Sequence, residues 1–206
     1  AELLNHDNQF IRAIAAEVLG TLGKPVTIDL LARLLLDPDA NVRIVAARAL
    51  GKIRHIRSAE KLSHVLEDAD PKVAGLAANG LEILGDLAVE PVFALLTHPS
   101  AEVRARAIDV LGRLRYQGAC ERLCAGLTDN NVWVRIVSAQ ALGEIGEPSV
   151  APALVAALDD TNHIVRAMAA QALGKLRDYR ASIKLIEMTN DPSDLVRSNT
   201  LRALGK

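Results

Sequence analysis

Aromatic side chains are scarce in this sequence: Phe10, Phe93, Tyr116, Trp133 and Tyr179 make up 2% of 206 residues. Hydrophobic residues still amount to 50%, so the core must be built from Ala, Leu, Val and Ile, small side chains that let helices approach closely. No apolar run approaches the roughly 20 residues of a membrane-spanning helix. Charge of one sign is also missing. The net charge is −1, so the chain as a whole is no polyanion trap. Cysteine is limited to Cys120 and Cys124, four apart in columns that other repeats fill with apolar or small residues. They read as buried free thiols rather than a redox or metal pair, which suits a reducing, cytoplasmic compartment. No segment alternates with period two over a useful length, so no sheet is expected. No signal peptide is visible. The sequence starts without Met and both ends fall inside a repeat, as expected of a piece of a longer protein.

What is abundant is one phrase. Asp37 to Gly51, DPDANVRIVAARALG, returns with small edits as DNQFIRAIAAEVLG, DPKVAGLAANGLE, HPSAEVRARAIDVLG, DNNVWVRIVSAQALG, DTNHIVRAMAAQALG and DPSDLVRSNTLRALG. The apolar residue before the arginine position is Ile11, Val42, Val73, Val103, Val134, Val165 and Val196, in steps of 31 residues with one step of 30. A period of that size means stacked units, each too small to bury its own apolar face. The expected fold is all-α: an α-solenoid, a right-handed superhelix of six to seven two-helix repeats, forming one array over residues 1–206. The units run approximately 1–23, 24–54, 55–85, 86–115, 116–146, 147–177 and 178–206, the first and last incomplete.

The second helix of each unit is the more clearly marked. Four residues before the arginine position stand Asn8, Asp39, Asp70, Ser100, Asn131, Asn162 and Ser193, all side chains able to cap an orphaned backbone N–H. Small residues recur three and four positions after it (Ala15/Ala16, Ala46/Ala47, Ala77/Ala78, Ala169/Ala170). A leucine follows at the seventh in every unit, Leu19 through Leu204. Offsets of 3, 4 and 7 share one helical stripe, the core face. Glycine comes next in six units (Gly20, Gly51, Gly112, Gly143, Gly174, Gly205), where a helix end and a tight turn are expected. The first helices are shorter and more variable. Pro25, Pro91, Pro148 and Pro152 lie at or near their starts, where the missing N–H costs little.

Six residues before the arginine position lie Asp37, Asp68, Asp129, Asp160 and Asp191, with His6 and His98 in the other two units. The arginines are Arg12, Arg43, Arg104, Arg135, Arg166 and Arg197. Carboxylates and guanidinium groups alternating along the stack would rigidify each turn and fix the register of one unit on the next. Because the pattern recurs from unit to unit, it reads as structural. These columns resemble the HEAT-like repeats of the phycobilisome lyase type, whose pattern is D-x-x-x-x-V-R-x-x-A-A-x-A-L-G. The resemblance covers essentially the whole chain. It implies the solenoid fold and admits bilin lyase subunits, an iron hydroxylase and interaction proteins.

The iron-dependent deoxyhypusine hydroxylases look like this array but carry His-Glu pairs directly after the arginine. Here those positions read Ala13-Ile14, Ile44-Val45, Gly75-Leu76, Ala105-Arg106, Ile136-Val137, Ala167-Met168 and Ser198-Asn199. No metal, cofactor or catalytic residue is expected on that basis. His6, His55, His64, His98 and His163 have no spacing that gathers three on one ion and read as turn or surface residues. Nucleophile triads and phosphate-binding glycine loops are likewise missing.

What remains is a surface. Positions 1, 2, 5 and 9 after the arginine point away from the core stripe, toward the inner side of the stack. They hold Ile14 and Glu17; Ile44, Val45, Arg48 and Lys52; Leu76, Asn79 and Ile83; Arg106, Asp109 and Arg113; Ile136, Val137, Gln140 and Glu144; Met168, Gln171 and Lys175; Asn199 and Arg202. Trp133 lies at their rim. Either the first two positions pack partly between neighbouring helices, or they form an apolar strip suited to an amphipathic helix or extended peptide. Such a groove would be about 50–60 Å long with helices about 8–10 Å apart. The expected function is a non-catalytic scaffold for a protein partner. A bilin lyase-type subunit binding a linear tetrapyrrole is the alternative implied by the resemblance. Nucleic acid along Arg48, Lys52, Arg106, Arg113, Lys175 and Arg202 is disfavoured by the interspersed Glu17, Asp109 and Glu144. The third unit departs from its neighbours: Ala74 replaces Arg, Glu82 replaces Gly, and Gly75 and Gly80 fall inside the helix. Drift in a redundant repeat and a weak joint both account for it.

Overall fold

The computed structural model describes residues 2–205, and among them every regular element is helical. Contacts gather the chain into two compact units, Ala1–Leu95 and Leu96–Lys206. The first holds α1 (Gln9–Leu22), α2 (Ile28–Leu34), α3 (Ala40–Lys52), α4 (Ile56–Val65), α5 (Pro71–Leu84) and α6 (Val89–Phe93). Within it the second helices α1, α3 and α5 lie side by side, with α2 and α4 packed behind them. The second unit holds α7 (Ala101–Arg113), α8 (Cys120–Gly126), α9 (Val132–Ile145), α10 (Ala151–Ala156), α11 (His163–Leu176), α12 (Ser182–Met188) and α13 (Asp194–Leu204). There α7, α9, α11 and α13 form the row and α8, α10 and α12 back it. The first helices are short because 3-10 turns take over at their ends, as at Pro25–Thr27 and Ala157–Asp159.

Five of the seven expected caps bond as such: Asn8, Asp39, Asp70, Asn131 and Asn162 each accept a backbone N–H of the first turn. Ser100 and Ser193 do not cap. Their own N–H groups are held instead, by His98 Nδ1 at 3.1 Å and Asp191 Oδ1 at 2.8 Å. The same bond reaches back to His6 and to Asp37, Asp68, Asp129 and Asp160 in the other turns. A histidine therefore replaces aspartate in bracing the turn, through a ring nitrogen in place of a carboxylate oxygen.

The glycine column is where expectation and structure part. Gly20, Gly51, Gly112, Gly143 and Gly174 lie inside their helices. Each faces a small residue of the next second helix in the row. A methyl group at Gly20 would lie 2.6 Å from Ala49 Cβ, at Gly51 2.7 Å from Gly80 Cα, at Gly112 2.6 Å from Ala141 Cβ and at Gly143 2.7 Å from Ala172 Cβ. These glycines set how closely helices approach; the turn comes three residues later. There Gly23, Gly85 and Gly146 have positive φ, and so do Arg115 and Arg177 in the same column. Gly80, which looks like a defect in sequence, is a packing residue. Gly75 has nothing within 4 Å of where its Cβ would be.

The arginines join neighbouring repeats. Arg12 reaches Asp37, 25 residues on, with Nε–Oδ2 at 2.6 Å and Nη2–Oδ1 at 2.8 Å. Nη1 meanwhile bonds the carbonyls of His6 and Asp7 in its own turn. Arg43–Asp68 repeats this fork in the first unit, and Arg104–Asp129, Arg135–Asp160 and Arg166–Asp191 repeat it in the second. Arg197 keeps the carbonyl bonds to Asp191 and Pro192 but turns its Nη2 to Asp194. Hydrogen bonds from these arginines hold the carboxyls of Asp37, Asp129 and Asp191 below the ordinary range. At Asp160 burial is the largest influence and opposes, but the bonds from Arg135 and the Asn162 N–H, with the charges of Arg135 and Arg166, together hold the carboxyl below that range.

The core is as the composition requires. Ala16, Ala46, Ala47, Leu50, Ala77 and Leu81 are fully buried in the first unit, and Leu111, Ala139, Leu142, Ala169 and Ala170 in the second. Burial raises both thiols: Cys120 is buried, Cys124 half-buried, and both are free.

Candidate functional site

With the core stripe fixed, the opposite stripe of each second helix is defined. It comprises the residue two before the arginine position and those two, five and nine after it, offsets of 4, 7 and 11 that stay on one face. Position 1 after the arginine lies roughly 70° from the centre of this stripe. It turns toward the neighbouring helix.

In the first unit α1 presents Phe10, Ile14, Glu17 and Thr21, with Phe10 68% and Ile14 60% exposed. On α3, Arg48 and Lys52 are exposed while Ile44 and Val45 are half-buried. Along α5, Leu76 is half-buried, Asn79 exposed and Ile83 exposed. An apolar hollow of about 340 Å³ lies beside Ile14, between Leu3, Val18 and Leu30.

In the second unit Arg106, Asp109 and Arg113 are half-buried on α7. Arg106 pairs with Glu102, and Arg113 lies 3.7 Å from Asp109. On α9, Ile136 and Val137 are buried, 7% and 9% exposed. They do not line an open strip: position 1 faces the neighbouring helix, and Val137 is covered by the row around it. Trp133 is 56% exposed, held on the first turn by Asn131 Oδ1, which accepts its N–H at 2.8 Å. Gln140 donates to Glu144 at 3.2 Å. On α11 Met168 is half-buried and Gln171 and Lys175 are exposed. On α13 Asn199 is buried and donates to the Ala167 carbonyl at 3.1 Å, leaving Arg202 exposed.

The structure adds a column to those read from sequence. Two residues before the arginine position stand Phe10 in the first unit and Trp133, Ile164 and Leu195 in the second; the last two are 37% and 44% exposed. Three large apolar side chains thus occupy equivalent places on the adjacent helices α9, α11 and α13. The signal was available, since this column is four residues ahead of Val137 and Met168, but Trp133 alone is conspicuous in sequence.

A family model for HEAT repeats matches residues 1–82, 59–140 and 120–205. The chain belongs to the HEAT-repeat family. Solved structures share its fold. The complex of CpcE and CpcF of phycocyanin lyase from Nostoc sp. superposes with a TM-score of 0.68 at 23% identity, covering 72% of this chain and 99% of that one. Human deoxyhypusine hydroxylase, in complex with glycerol, gives a TM-score of 0.50 at 25% identity over 98% of this chain and 81% of that one. Computationally designed armadillo repeat proteins for modular peptide recognition give 0.56 at 20% identity, covering 86% and 98%. No curated protein matches the chain by sequence. Among the described residues no helix of these HEAT repeats is long and apolar enough to cross a membrane.

Proposed function

We propose that these HEAT repeats form a non-catalytic scaffold that holds a peptide or helix of a protein partner against the outward stripe of the second helices, in a reducing, cytoplasmic setting. The observation that carries the reading is the row of Trp133, Ile164 and Leu195. Large apolar side chains at the same place on three adjacent helices form a continuous exposed strip, which isolated surface hydrophobes do not. Four second helices about 8–10 Å apart span about 25–30 Å, the length of a 20-residue helix. The test is selection of random displayed peptides on the immobilised full chain. Enrichment is expected, lost with Trp133→Asp or Ile164→Asp and retained with Glu121→Lys on the exposed side of α8. Enrichment that survives both row substitutions contradicts the reading. Ile136 is unsuited to this test, because a charge there is buried and unfolds the helix.

The fold likeness to the CpcE–CpcF complex supports a second reading, a bilin lyase-type subunit. It predicts a shift in the absorption of a linear tetrapyrrole on mixing, and an unchanged spectrum removes it.

A further inference from the structure

We propose that the partner segment is acidic: an amphipathic peptide whose apolar side chains cover Trp133, Ile164 and Leu195 and whose carboxylates meet Lys175 and Arg202. The proposal rests on the docking role above and adds the partner's charge. On α7 the cations of the stripe are answered internally, Arg106 by Glu102 and Arg113 by Asp109. On α11 and α13 they are not. Lys175 and Arg202 are exposed and, among the described residues, their side chains have no hydrogen bond or ion pair. Surface cations elsewhere divide: Arg57–Asp29, Arg180–Asp178 and Lys184 with Asp159 and Glu187 are paired, whereas among the described residues the side chains of Lys24, Arg33 and Arg54 are not, so what sets Lys175 and Arg202 apart is their place on the stripe. The two unanswered cations share the stripe of the apolar row, Lys175 eleven residues after Ile164 and Arg202 seven after Leu195.

The first unit repeats the combination independently. Arg48 and Lys52 on α3 are exposed and without a side-chain partner among the described residues, on the helix between Ile14 and Leu76. Along the helix axes the cations stand about 16 Å and about 10 Å from the row, so the complement is a segment with one apolar edge and one acidic edge. Nucleic acid fits less well, because the row is aliphatic apart from Trp133 and so offers a single aromatic face for bases to stack on.

The experiment is selection of random peptides of about sixteen residues displayed against the full chain, followed by affinity measurement on the best synthesised peptide. Net-negative peptides rich in Leu, Ile or Phe are expected. The double variant Lys175→Glu/Arg202→Glu should weaken the best one about tenfold or more while leaving the circular dichroism melt unchanged. Should that variant melt early, Lys175→Gln/Arg202→Gln carries the same test with a smaller, still measurable loss. Enriched peptides that are neutral or basic, yet depend on Trp133, overturn the acidic partner and leave the docking role standing. No enrichment, or enrichment indifferent to Trp133→Asp, overturns both. An oligonucleotide of about twenty bases that binds with a steep salt dependence and is lost in the double variant assigns the cations to phosphate instead.

Discussion

A methyl group added at Gly143 has nowhere to go: it would lie 2.7 Å from Ala172 Cβ and 2.8 Å from its Cα. Gly143→Ala is therefore expected to destabilise the protein by about 1–3 kcal/mol in urea unfolding, because two backbones must separate. Gly75→Ala, in open space on a helix, is expected to stabilise by about 0.5–1 kcal/mol. Equal effects at the two sites would contradict the packing role. Arg177 ends α11 with φ 54, where Gly is the relaxed choice, so Arg177→Gly should raise stability by about 1 kcal/mol. Sequence shows which residues are glycine. It does not show which ones oppose a backbone 29 residues away, and that is why the column of Gly143 read as a turn.

At the scale of elements, the forks between repeats titrate. Asp37, Asp129, Asp160 and Asp191 have carboxyls below their unfolded values. Their stabilisation is thus complete above an unfolded pKa of about 4 and is lost as pH falls through the lower folded values. The urea midpoint should hold from neutrality to about pH 5 and drop below about pH 4. Asp160→Asn should lower the plateau by about 2 kcal/mol and flatten that drop. A midpoint that rises on acidification contradicts the role of the forks. The second helix α5 lacks an arginine at Ala74 and carries the unpacked Gly75, so amides of residues 72–84 should exchange faster than those of 133–145. Equal protection would leave drift as the account of the third repeat. The fork pairing was legible in sequence because both partners recur at fixed offsets. The apolar strip was legible only in part: Val137 and Met168 share a column yet differ in burial through their neighbours, and no single-helix period reports a neighbour.

Across the whole molecule, HEAT repeats supply a row of equivalent positions, and function lies in how those positions are filled. The period of 31 and the helical stripe were enough to predict helical hairpins. The charge left unanswered at Lys175 and Arg202 needed coordinates, since pairing at Arg106 and Arg113 depends on rotamers as well as spacing. The sole tryptophan, Trp133, stands in the proposed docking row and reports on it without a label. The most direct measurement is its emission while the best selected peptide is titrated onto the full chain. The account predicts a saturable blue shift at the same concentrations at which calorimetry records binding. Calorimetric binding with Trp133 emission unmoved would place the partner elsewhere and contradict the account.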